Sequence, residues 1–114
     1  MGWDCFAFGP QGGDIKDKKV KDAFRSAIRC VLRKCEYHDI HVSSNFVVLD
    51  VSDTGQMINK AGVDAWDAGK IKRVRDLKFD WDFPYTKEQA PYYWSARKFM
   101  EVCVKYDLTI KFSW

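Results

Sequence analysis

The C-terminal stretch DLTIKFSW (107–114) decides the fold, because Leu108, Ile110, Phe112 and Trp114 alternate with Thr109, Lys111 and Ser113. A period of two sends successive side chains to opposite faces of a strand, so this segment reads as a strand with one buried face. The other end of the chain holds a counterpart. WDCFAF (3–8) is rich in aromatic residues and is bounded by the turn signal GPQGG (9–13). Strands at both termini with helices between them imply an α+β fold: a small sheet that includes both terminal strands, packed with two main helices and one or two short ones.

Working inward, a helix is expected from about Asp17 through Cys35. Val20, Ala23, Phe24, Ala27, Ile28, Val31, Leu32 and Cys35 recur at helical spacing, while Lys18, Lys21, Asp22, Arg25, Arg29 and Arg33 fall elsewhere. NFVVLDV (45–51) reads as a buried strand between polar clusters, and HDIHVSSN (38–45) before it as an exit loop. Asp53 and Gln56 form a possible capping box for a short helix over Met57, Ile58 and Ala61 that Gly62 ends. A weaker helix covers Ala68 to Leu77. DLKFDWDFPY (76–85) alternates acid and aromatic without a helical period and holds Pro84, so it reads as an irregular loop. The last helix has Pro91 near its start, where a missing NH costs little, and Tyr92, Ala96, Phe99, Cys103 and Tyr106 on one face.

With 114 residues the chain suits one domain, 1–114, and with 46% hydrophobic and 16% aromatic residues it has ample material for a core. The net charge of +3 is spread along the chain, which disfavours nucleic acid as a partner. No run approaches the length of a membrane span, and MGWDCFAFG (1–9) lacks the basic and apolar regions of a signal peptide. A cytoplasmic protein with free thiols is expected.

MGWD (1–4) and YYWSARKFMEVCVKYDLTIKFSW (92–114) resemble a group of short bacterial proteins that open with M-G-W-D and close with a Y-W-S-A-R helix and an F-S-W terminus. The likeness is confined to the two ends of the chain. It implies a bacterial or phage origin and no activity, so it assigns no functional residue.

CVLRKCEYHDIH (30–41) gathers two cysteines and both histidines. On one continuous helix Cys30 and Cys35 lie about 140° apart and cannot share a metal or a bond. Cys35, His38 and His41 would face one way if the helix ran on, with Cys5 or Cys103 completing four ligands. The paired spacing of zinc sites is missing, and buried thiols with loop histidines are the preferred reading, so no metal or cofactor is expected. GPQGG matches no phosphate-loop motif, and Asp14 and Asp17 would repel an anion. The basic run KIKRVR (70–75) reads as a solvated helix face. Asp80 and Asp82 among Phe79, Trp81 and Phe83 suit either acid/base work or a partner-facing surface.

Trp94 falls about 180° from the apolar stripe of the last helix, among Lys98, Glu101 and Lys105, a place that asks for a cover. The cover is either the 79–85 loop or another protein. Trp94, Trp81, Phe83, Asp80 and Asp82 together are therefore the expected partner-binding residues, with tryptophan as anchor and acids selecting a basic partner. The function expected is a non-catalytic protein-binding module, like an immunity protein or a phage inhibitor that blocks a larger enzyme. The alternatives are a small metal-dependent or acid/base enzyme and a nucleic-acid-binding module.

Overall fold

The structure, a computed structural model, describes residues 3–10, 12–30, 38–51, 60–77, 79, 81, 82, 84, 86 and 88–113. In chain order its elements are β1 (Trp3–Phe8), α1 (Lys18–Cys30), β2 (His38–Val42), β3 (Val47–Val51), α2 (Lys60–Asp67), a single 3₁₀ turn (Val74–Asp76), α3 (Pro91–Lys105) and β4 (Thr109–Ser113). The strands form one sheet in the order β2-β3-β1-β4, with every neighbouring pair antiparallel. β1 and β2 are thus parallel with β3 between them, and β3 and β4 are parallel with β1 between them. Two interlocked split βαβ units of this kind make the ferredoxin-like arrangement, here with α2 as an addition. The α+β fold and the pairing of the two terminal segments stand as read from the alternation.

Alternation also divides the sheet into two faces. Cys5, Ala7, Ile40, Val47, Leu49, Ile110 and Phe112 are buried on the face that receives the helices. There they join Val20, Phe24 and Ala27 of α1 and Tyr93, Ala96, Phe99, Met100 and Cys103 of α3 in one core cluster. Phe24 and Phe99 meet at 5.4 Å between ring centroids, which fixes α1 against α3. Asp17 starts α1 by accepting the Lys19 amide on its carboxylate at 2.8 Å, the usual role of an N-cap acid.

The 38–45 exit loop is corrected: HDIHV is an edge strand, paired along its length with β3. Only Ile40 of its described side chains is fully buried, so the segment shows no alternation of hydrophobic residues. The short helix also runs past its expected end. Residues 52–59, including Asp53, Gln56, Met57 and Ile58, lie outside the described residues, and α2 runs through Gly62. It ends instead at Gly69, whose φ of 75° permits the left-handed turn. The Gly69 amide bonds the Trp66 carbonyl at 3.0 Å and the Lys70 amide the Ala65 carbonyl at 2.9 Å, the two bonds of a Schellman motif.

That terminus overturns the expected helix over Ala68 to Leu77, of which only the 3₁₀ turn remains. Ile71, Val74 and Leu77, three residues apart, turn inward, and Lys70, Lys72, Arg73 and Arg75 stay exposed, so the basic run is solvated as expected but not helical. α3 closes by the same motif as α2. The Asp107 amide bonds the Val104 carbonyl and the Leu108 amide the Cys103 carbonyl, with Asp107 at φ 51°.

Trp66 guards the outer edge of β4. Its indole NH donates to the Ile110 carbonyl at 2.9 Å and occupies an acceptor on a strand edge that could otherwise recruit another chain. No helix among the described residues is long and apolar enough to cross a membrane.

Candidate functional site

The N-terminal half of α3 is positioned by the turn that precedes it. The Thr86 amide donates to Gln89 Oε1 at 3.0 Å and the Gln89 amide to Thr86 Oγ1 at 3.3 Å, a reciprocal exchange like that of a capping box. Pro91 then occupies the first helical turn. Two and four residues on, the buried arc of α3 is wider than the stripe expected from the sequence. Tyr93 and Ser95 are fully buried alongside Ala96, Phe99, Met100 and Cys103. Trp94 therefore sits at the border of the core, half-buried and packed against it, rather than on the opposite side of the helix.

Arg97 lies three residues along the same face and organises this border. Its guanidinium is 4.9 Å from the centre of the Trp94 ring and 5.9 Å from that of Trp81. Nη1 donates to the Trp81 carbonyl at 2.7 Å and to the Tyr93 hydroxyl at 3.2 Å, while Nε donates to Glu101 at 3.2 Å. The planar, weakly hydrated guanidinium suits stacking and directional donation at once. Phe79 continues the cluster inward, 4.8 Å from Trp81 and stacked on Tyr93 at 5.8 Å. Tyr93 meets Trp94 edge-on at 5.9 Å.

The structure thus brings together Trp94 and Trp81 of the expected partner-binding set, both half-buried, and leaves Asp82 exposed beside Trp81. Asp80 and Phe83 lie outside the described residues. Arg97 is the residue that sequence reasoning missed. An arginine on a helix reads by default as a solvated charge, and its spacing of three from Trp94 is the one signal that pointed to it.

The metal reading loses the geometry it required. Cys35 lies outside the described residues, while positions 38 and 41 belong to β2, where an odd spacing puts them on opposite faces. His41 is exposed. Among the described residues no group of three His, Cys, Asp or Glu side chains is placed to hold a metal ion. Cys5 and Cys103 are both fully buried and free. Burial, helped by the charge of Asp4, pushes the Cys5 thiol far up, and burial with Cys5 nearby does the same to Cys103. Both are therefore neutral thiols. The Ser95 hydroxyl, buried on α3, has no hydrogen-bond partner among the described residues.

The glycine loop spends its amides on the fold. Gly9 donates to Gly13, Gly12 to Gly9 and Ile15 to Asn45. A Cβ on Gly9 would come within 2.9 Å of the Asp14 carbonyl, so close backbone approach explains the glycine. Beside this loop Pro10, Ile15, Val20, Tyr106 and Leu108 line a shallow, largely apolar cavity of about 300 Å³ with Asp14, Lys16 and Asp17 among its walls.

No family model matches the chain, and no curated protein or solved structure matches it at a significant level. The class defined by fold and site is thus a ferredoxin-like α+β protein with an arginine-centred tryptophan cluster at its surface.

Proposed function

We propose that the protein is a non-catalytic binding module that docks on a larger protein and blocks it, in the manner of an immunity protein or phage inhibitor. The observation that carries this reading is Arg97 stacked with both Trp94 and Trp81, each ring half-buried in the free protein. Large rings already held in place lose little side-chain freedom when a partner covers their remaining surface, which is how aromatic anchors contribute to affinity. Asp82, exposed next to Trp81, supplies an acidic rim suited to a basic partner. The free, buried thiols of Cys5 and Cys103 accord with action in a reducing cytoplasm.

Trp94→Ala tests the reading. Because the ring is only partly covered, the substitution is expected to lower stability by about 1–2 kcal/mol, less than the loss of a fully buried aromatic. Affinity for a partner captured from the host is expected to fall by about 2 kcal/mol or more, the scale of an interface hot spot. Unchanged affinity in the folded variant would refute Trp94 as the anchor.

A further inference from the structure

Arg97 does not spend its whole guanidinium inside the protein. The group carries N–H donors on all three of its nitrogens, one on Nε and a pair on each of Nη1 and Nη2. Nε gives its proton to Glu101 Oε1, and Nη1 gives its pair to the Trp81 carbonyl and the Tyr93 hydroxyl. Nη2 donates to none of the described residues, and the side chain is 26% exposed. Charge is left over as well. Glu101 meets Arg97 on Oε1 at 3.2 Å and Lys98 on Oε2 at 3.3 Å, so both cations share a single carboxylate. The half-buried Trp94 ring, its centre 4.9 Å from the guanidinium, sets an apolar surface beside the unspent donors.

We propose that the partner presents an Asp or Glu carboxylate to Arg97 Nη2, next to the apolar side chain that covers Trp94. The inference rests on the docking reading above and names the chemistry that its partner carries. A guanidinium already held by three hydrogen bonds and a ring loses little freedom when it donates once more. A bond from it to a carboxylate is charge-assisted, and Lys98 adds a second cation to the field that the carboxylate meets. Asp82, exposed beside Trp81, asks for the opposite charge, so the docking segment holds a cation as well as an acid. That mixed pattern chooses a protein over a polyanion. The repeated phosphates of a nucleic acid would satisfy Arg97 but bring like charge to Asp82 and Glu101.

NMR titration of the full chain tests it with a blocked Trp-Glu-Ala-Lys peptide as probe and Trp-Gln-Ala-Lys as its uncharged counterpart. The expected result is shifts of the Trp94 indole NH and the Arg97 Nε–H, with the Glu peptide bound roughly threefold or more tightly than the Gln peptide, the scale of a partly exposed charge pair. That preference should shrink between about 0.05 and about 0.3 M salt, as screening requires. Arg97→Lys should remove most of the preference, because lysine lacks the second arm of the fork. Lys98→Gln, a change to a partly exposed side chain that leaves the fold intact, should reduce it. The proposal is overturned if the two peptides bind equally, if Lys98→Gln and Arg97→Lys both keep the full preference, if the shifts lie away from Trp94 and Arg97, or if none occur. It is equally overturned if an oligothymidylate displaces the Glu peptide. Equal binding of both peptides at Trp94 would remove the carboxylate and leave the aromatic anchor standing, whereas a captured partner that protects neither Trp94 nor Trp81 would remove the docking reading itself.

Discussion

A single guanidinium joins α3 to the segment around Trp81, and its replacement separates charge from shape. Arg97→Lys retains the positive charge but loses the planar stack and the fork that reaches both Trp81 and Tyr93. Arg97→Lys is expected to destabilise the protein by about 1–2 kcal/mol and Arg97→Ala by about 2–3 kcal/mol, measured by urea unfolding. Equal stability of the lysine variant would show that charge alone mattered. The two buried thiols make a further demand at this scale. Folding raises both above the ordinary value of 9.0, so the unfolded chain releases their protons first as pH rises. Their contribution is complete below about pH 9 and declines above it, by about 1.4 kcal/mol per pH unit for each thiol. A Cys5→Ala, Cys103→Ala variant should therefore lose stability less steeply between pH 9 and 10 than the parent, as read from denaturant midpoints at each pH. Parallel profiles would mean that the thiols ionise in the folded state.

Among the elements, those with a strong period were legible in the sequence. The alternation of 107–114 became β4, and the helical spacing of Val20, Phe24 and Ala27 became the buried face of α1. HDIHV escaped because an edge strand keeps polar residues at positions a central strand would fill with apolar ones. Glycine misled in α2, since Gly62 and Gly69 look alike in sequence and only backbone geometry shows which one ends the helix. Asp107, a non-glycine residue in the left-handed cap of α3, gave no stop signal for the same reason. Trp66 and Arg97 each act through a contact distant in sequence, to Ile110 and to Trp81, that no local pattern encodes. Trp66→Phe keeps most of the ring but frees the Ile110 carbonyl on the edge of β4. A loss of about 0.5–1.5 kcal/mol is expected, together with greater self-association on light scattering. A variant as stable and as monomeric as the parent would show that the indole NH does not protect the edge.

For the molecule as a whole, a structured surface flanks the core: the Trp94–Arg97–Trp81 cluster at the border of α3. The proposed blocking function rests on it. A larger protein docking there should exclude solvent from the N-terminal half of α3 and from residues 81 and 82, even with the backbone unmoved. Hydrogen–deuterium exchange of the free protein and of its complex with the captured partner measures this directly. Slower exchange upon binding is expected at residues 81 and 82 and across 93–98, with β4 and the start of α1 unchanged. Protection that leaves these segments untouched and falls elsewhere would contradict the assignment of the cluster as the docking surface.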